Sequence, residues 1–348
     1  MGQMGSILRR IVSTRGVSTI LKPLTRDQVV IFRLHRFSQP HLGIRGHDPE
    51  KIREVLQYLW REKYEILPLL DICDRLRGEG PPVRRAVAIT IDDGYEDQAT
   101  IGVPLFAEFD CPVTIFVTTG FLDRKLWLWW DKVGYIFCRA DLASIAVSMD
   151  GLQAQYGLAD DRARVDAVTD FTRRCKLLPH EEIDRALIRL ATAAEVDLPE
   201  TPPPEYSAMT WDQVRACENR GVTFAPHTVT HPILGRASLA RSRREILDSW
   251  SRVRAEARRP IPVFAYPNGC SGDFGDREIA VLKEAGLRAA VAAIPGYNSA
   301  TSTQSSPDGQ YRLRRFGHAH SLPHVIQYVA GAERLKQLIT RPVIRRRH

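Results

Sequence analysis

Short apolar or alternating runs and helix-period segments succeed one another along most of the chain. QVVIFRLHRF, residues 28–37, reads as a strand, and PEKIREVLQYLWREK, residues 49–63, places apolar side chains at helical spacing. EILPLLDICDRLRGE, residues 65–79, is a short strand leading into a helix. PPVRRAVAITIDDG, residues 81–94, is a loop and a strand, and EDQATIGVPLFAEFD, residues 96–110, is helical before the strand PVTIFVTTGFL, residues 112–122. Strand and helix in alternation predict parallel strands joined by crossover helices.

From about residue 139 to 200 the pattern changes to charged amphipathic helices, closed by Pro202, Pro203 and Pro204, and this stretch reads as a helical insertion. Alternation then resumes. TWDQVRACENRG is a helix, VTFAPH a strand, the Arg-rich stretch from about Ser238 to Arg258 a long helix with a solvated face, and PVFAYPNG a strand. REIAVLKEAGLRAAVAA supplies another helix and strand, and YRLRRFGHAH one last strand. These make seven or eight strand–helix units, so the expected fold is α/β, a distorted TIM-like (β/α) barrel over residues 28–340. Residues 1–27 and 341–348 read as basic tails.

With 44% hydrophobic residues in 348, the chain can build a substantial core, so disorder is not the default reading. The net charge of +8 is modest for this length and does not resemble a nucleic-acid arm. Its excess gathers at the two ends, where solvated tails or peripheral contact with anionic lipid are the alternatives. Six cysteines without C-x-x-C spacing fit reduced thiols, and no uninterrupted apolar segment makes a signal peptide or a membrane span. The expected location is the cytoplasm, with membrane association through the basic ends as the further option.

In such a barrel, chemistry gathers at the carboxyl ends of the strands. AITIDDG ends one strand with Asp92 beside Asp93, two like charges that need a cation or a proton to coexist. VTFAPHTVTH ends another with His227 and His231, whose spacing brings both imidazoles to one face if the segment makes a helical turn. Two histidines and one carboxylate form a three-ligand set that leaves a metal with open positions, while the other carboxylate stays free for proton transfer. Alone, an Asp-Asp-Gly turn is commonly a solvated turn and an H-x-x-x-H pair commonly a surface pair. Placed together after strands, with FAYPNG after a third, they point to a metal-dependent hydrolase.

These motifs resemble the polysaccharide deacetylases of carbohydrate esterase family 4. TIDDG is similar to the family's T-F-D-D-G motif, with Ile91 for the aromatic residue, and HTVTH matches its second motif in full. LWLWWD, YPNG and the insertion resemble the bacterial exopolysaccharide branch. The resemblance implies that Asp92 is the general base and that Asp93, His227 and His231 bind a divalent metal, with zinc first for an N,N,O set and cobalt, nickel or manganese as alternatives. The Asn268 N–H is then the oxyanion donor, and Tyr266 and Tyr95 are candidates to line the pocket. Ala265 stands where the family carries the arginine that orients the base, so that role has no residue. For the acid that protonates the leaving amine the resemblance favours His35 on the first strand, with His318 (or its neighbour His320) as the alternative. Trp127, Trp129 and Trp130 either stack on sugar rings or pack in the core. The implied reaction removes N-acetyl groups from an amino-sugar glycan. The alternatives are a deformylase or deacetylase of a small or lipid-linked amino sugar, and an inactive carbohydrate-binding relative.

Overall fold

The computed structural model describes residues 15–149, 152–317 and 321–340. Its strands are β1 (Val29–Leu34), β2 (Glu65–Ile66), β3 (Ala86–Asp93), β4 (Val113–Val117), β5 (Ser144–Met149), β6 (Leu152–Gly157), β7 (Val222–Pro226), β8 (Val263–Ala265), β9 (Ala289–Ala292), β10 (Leu313–Arg314) and β11 (Phe316–Gly317). One parallel sheet runs β11-β1-β3-β4-β7, with β2 beside the start of β3, and a second runs β10-β9-β8. Between β7 and β8 the ladder thins to a single bridge, Phe224 to Pro260. On the other side, β10 and β11 are one segment that leaves β9 and joins β1 with Arg315 between them. The fold is the expected distorted TIM-like barrel, with seven strand positions: β1, β3, β4, β7, β8, β9 and the β10–β11 segment.

Every residue of β3 is buried, as for a strand covered on both faces. Inside the barrel, Val29, Ile31, Ala86, Ala88, Phe116, Ala225, Val263, Ala265, Ala289, Val291 and Leu313 pack as one apolar cluster. Continuing the period-2 alternation two residues toward the carboxyl ends replaces this filling with Arg33, Thr90, His227 and Arg315, and further on with His35 and Asp92. The outer faces of the strands meet the helices in a larger cluster. Helix Pro49–Arg61, capped by the Asp48 carboxylate on the Glu50 N–H, buries Ile52, Val55, Leu56 and Leu59 there. Helix Leu239–Glu256, capped by Ser238, contributes Ile246, Trp250 and Val253.

The insertion departs from the expected all-helical element of residues 139–200. It begins with helix Trp129–Arg139, passes through the antiparallel hairpin β5–β6, and continues with helices Asp161–Cys175 and His180–Ala193. SIAVSM and LQAQYG flank Asp150-Gly151, an alternating pattern about a turn dipeptide that makes a hairpin rather than a helix. Its own core joins Val133, Ile136, Phe137, Ile145, Tyr156, Phe171, Leu187 and Leu190.

The N-terminal tail is likewise shorter than expected. Arg15–Leu21 is a helix, Lys22–Thr25 a 3-10 turn, and the buried Thr25 hydroxyl donates to the Val329 carbonyl at 2.9 Å. The basic segments 1–14 and 341–348 lie outside the described residues, among which no helix is long and apolar enough to cross a membrane.

Because Phe171 is fully buried between Phe137 and Tyr156, Phe171→Ala is expected to cost about 3–5 kcal/mol of local packing. Hydrogen exchange should report it: amides of residues 144–193 lose protection while those of β1, β3 and β4 keep theirs.

Candidate active site

Asp92 and Asp93 close β3 and are both buried, yet they face different surroundings. Asp92 keeps the strand's alternation and points into the barrel. There the Arg315 guanidinium grips it with two hydrogen bonds, Nη1 to Oδ1 at 2.7 Å and Nη2 to Oδ2 at 2.8 Å. Arg315 Nη1 also donates to Thr90 Oγ1, and Nε to the Ala292 carbonyl, so the fork is locked in place. Burial works to raise the Asp92 carboxyl, but Arg315, aided by His227, outweighs it and holds the group below the usual carboxylate range.

Asp93 would point the opposite way on a regular strand. Its φ of +89°, followed by Gly94 at +93°, turns the chain and brings its carboxylate to the histidines instead. Asp93 Oδ1 lies 3.7 Å from His227 Nε2 and 3.6 Å from His231 Nε2, and one donor atom from each of the three residues lies within 4.8 Å of the others. Burial, then the charges of Asp92 and Asp131, push the Asp93 carboxyl well above its ordinary value, against the opposing pull of Arg33 and Arg36.

The histidines do not sit on a helical turn, contrary to expectation. They lie on an irregular loop after β7 in which Thr228 (φ +67°) and His231 (φ +57°) are left-handed. Three contacts hold that loop. The Thr228 hydroxyl donates to the His227 carbonyl and accepts from the His231 N–H. The buried Glu245 of helix Leu239–Glu256 accepts from the Val229 and Thr230 N–H groups at 2.8 and 2.9 Å, and from the Thr230 hydroxyl. His227 Nδ1 lies 2.8 Å from the Ala265 carbonyl, which can only accept, so Nδ1 carries the proton and the Nε2 lone pair faces Asp93. Burial lowers the proton affinity of both imidazoles, leaving them neutral donors. The arrangement fits a divalent cation: two neutral imidazole nitrogens and one carboxylate, all on the wall of one cavity.

That cavity, about 830 Å³, is lined by Arg33, His35, Asp92, Asp93, His227, His231, Tyr266, Asn268 and Cys270 on the barrel, and by Trp129, Trp130, Val168, Lys176, His180 and Ile183 of the insertion. Trp130 sets its indole edge-on to His231, with centroids 4.5 Å apart, and donates from Nε1 to the Tyr95 hydroxyl. Tyr95 in turn donates to Asp131 at 2.7 Å, whose carboxyl burial raises to about 7. Trp129 also borders the cavity, whereas Trp127 packs in the core against Tyr135 and Tyr206. Tyr95 is buried under the Arg36 guanidinium and does not line the cavity.

Asn268 is left-handed (φ +59°) and its side chain donates to Asp273, while its N–H has no hydrogen-bond partner among the described residues. Tyr266 borders the cavity, but its hydroxyl is spent on the Tyr311 carbonyl and its ring stacks on Phe274, so it offers no hydroxyl to an oxyanion. His35 is in the cavity wall; burial pushes its imidazole down to about 3, with Arg33 and Arg315 adding to the effect and Asp92 opposing it. His318 and His320 lie outside the described residues.

Sequence reasoning missed three residues of the site. Arg315 fills the role left empty at Ala265, Glu245 clamps the histidine loop, and Gln98 donates to both the Asp92 and His35 carbonyls. Arg315 alone had a usable signal, since it shares the alternation of the inward-facing Leu313.

A polysaccharide deacetylase family model matches residues 200–290, which hold His227, His231 and Asn268. The match takes in the HTVTH segment and agrees with the resemblance to the polysaccharide deacetylases; TIDDG lies outside the matched residues. No curated protein matches the sequence. Three solved structures share the fold at low identity. The Streptococcus pyogenes deacetylase PplD in complex with acetate is 17% identical with a TM-score of 0.56, over 88% of this chain and 99% of that one. IcaB from Ammonifex degensii is 14% identical with a TM-score of 0.53, over 87% and 97%. A polysaccharide deacetylase from Bacillus cereus is 12% identical with a TM-score of 0.53, over 88% and 69%.

Glu245→Ala strips two backbone N–H groups and a hydroxyl of a charged acceptor. Denaturant unfolding should show a loss on the order of 3 kcal/mol, and Glu245→Gln, which keeps one acceptor oxygen, a smaller one.

Proposed function

We propose that this chain is a metal-dependent deacetylase of N-acetylated amino-sugar glycans, related in activity to the exopolysaccharide deacetylases. The observation that carries the reading is the division of labour at the end of β3: Asp92 clamped by Arg315, and Asp93 turned to His227 and His231. A divalent cation held by Asp93, His227 and His231, zinc first, would supply Lewis-acid polarisation of the amide carbonyl and a more acidic water.

The chain's own residues do the rest. Asp92, ionised across the neutral range, takes the proton of the attacking water, and Arg315 fixes both of its oxygens so that only one orientation is available. The Asn268 N–H donates to the developing oxyanion, a role that needs main chain only. His35 completes the set as the acid toward the departing amine. Because burial strips it of its proton at rest, the proton it delivers is one received within the cycle. The cytoplasmic setting, to which six free thiols lend support, and contact of the basic ends with anionic lipid belong to the same proposal.

Removal of a formyl group from a small or lipid-linked amino sugar would use the same machinery, and a panel of N-acetyl and N-formyl sugars separates the two. The inactive-relative reading conflicts with the retention of base, clamp and all three ligands.

The purified protein should hold one divalent ion per chain and release acetate from N-acetylated glycans. His227→Ala and His231→Ala should lose both. Asp92→Asn should keep the ion while turnover falls by at least about a thousandfold, roughly 4 kcal/mol at 1.4 kcal/mol per tenfold. Full metal occupancy in both histidine variants, or near-normal turnover in Asp92→Asn, contradicts the reading.

Arg315 sets a pH test. Without its cation, burial dominates and the Asp92 pKa rises. Since the base works deprotonated, the acid limb of kcat/KM should move to higher pH in Arg315→Met, and less so in Arg315→Lys. An unmoved limb would mean that Asp92 is not the titrating base.

A further inference from the structure

Of the two carboxylates bordering the cavity, Asp92 is paired with Arg315 and Asp93 stands against the neutral imidazoles of His227 and His231. Arg33, one step along β1 from the apolar barrel filling, also borders the cavity, yet its guanidinium forms no hydrogen bond or ion pair among the described residues, and its Nε is buried without a partner. A second cation, Arg315, opposes it electrostatically, while the Asp92 and Asp93 carboxylates favour it without coming within ion-pair distance. From the insertion wall, half-buried Lys176 faces the same space and is also unpaired among the described residues, whereas Arg173 is bound to Asp170.

A guanidinium that is partly desolvated, beside another cation and without an acceptor, is costly unless an anion completes it. Packing does not require a charge there, because Ile31 and Val29 fill the positions below it with apolar groups. A planar fork is suited to two oxygens of a carboxylate or a phosphate, and Lys176 adds a less directional positive field. The same cavity is also lined by the apolar Trp129, Trp130, Val168 and Ile183.

We propose that Arg33 binds an anionic group, carboxylate or phosphate, carried by the substrate in the same cavity as its reacting amide, with Lys176 reinforcing the attraction. The substrate class narrows accordingly to acylamido sugars that carry a uronate or a phosphate ester. This rests on the deacetylase reading for the amide but not for the anion.

Calorimetric titration of the full chain with glucuronate, glucose 1-phosphate and glucose tests the anion alone and separates the two sources. At least one anion should bind tenfold or more tighter than glucose. The preference should weaken with salt, vanish in Arg33→Gln, return in part in Arg33→Lys and shrink in Lys176→Gln, a variant on the insertion surface that leaves the barrel strands untouched. Turnover follows on N-acetyl sugars with and without the charge, where Arg33→Gln should lower the charged-over-neutral ratio of kcat/KM by at least tenfold, through KM.

If anions bind through Arg33 but no sugar releases an acyl group, the deacetylase reading falls and the anchor stands. Acyl release with equal kcat/KM for charged and neutral sugars, and anions bound no tighter than glucose, overturns the anchor. Acetate inhibition that depends on Arg33 without any charge preference among sugars also overturns it, by assigning the guanidinium to the released carboxylate.

Discussion

Two carboxylates on consecutive residues of a buried strand repel and are both costly to desolvate. The barrel mouth is organised by the way this one conflict is resolved. Asp92 stays in register and meets Arg315, the bidentate partner that returns much of the desolvation cost and keeps the charge in place. Asp93 is rotated out of register by a positive φ that L-residues rarely adopt. That strain is sustained because the surrounding turn is over-determined. Tyr95 is held by Asp131 and covered by Arg36, and Asp97 accepts from both Arg36 and the Phe37 N–H.

The same logic extends round the barrel. Left-handed residues recur at Thr228, His231 and Asn268, each beyond the carboxyl end of a strand and each on the loops that frame the cavity. Below them, alanines and valines fill the interior at close spacing, which leaves no room for the loops to relax downward. The geometry of Asp93, His227 and His231 thus depends on the packing beneath them as well as on their own side chains. Glu245 acts from outside, converting the position of a long helix into the position of the histidine loop.

Much of this was legible along the chain, and what was not has physical causes. The parallel strands and their functional ends could be read because alternation and apolar runs are local. That one carboxylate joins His227 and His231 followed from strand-end placement, and the family resemblance made it Asp93, although the i,i+4 spacing of the histidines suggested a helical turn where the backbone makes a strained loop. Arg315 was hidden because its partner lies 223 residues away and three arginines share its segment. Alternation from Leu313 separates the inward Arg315 from Arg314, but only the closure of the barrel through the broken β10–β11 strand brings it to Asp92. The hairpin β5–β6 was missed for the opposite reason: its Asp-Gly turn signal was local, but the charged helices around it set the reading of the whole insertion. Tyr266 sits at the expected place with its hydroxyl turned to the Tyr311 carbonyl, an orientation that residue order alone does not specify.

The insertion changes what the barrel can accept. A (β/α) barrel with short loops would leave Asp93, His227 and His231 at the floor of an open mouth. Here the helix beginning at Trp129 places one tryptophan edge-on to His231 and another on the cavity wall, while the next two helices bring Val168, Lys176, His180 and Ile183 over the site. Because this element has its own core, its wall can vary without disturbing the turn that holds Asp92 and Asp93, provided that the link from Trp130 through Tyr95 to Asp131 is kept. On the proposed reading, chemistry and selectivity would then be carried by different parts of the chain: the strand ends would fix the proton transfers, and the insertion, together with Arg33, would decide which charge and shape of sugar reaches them.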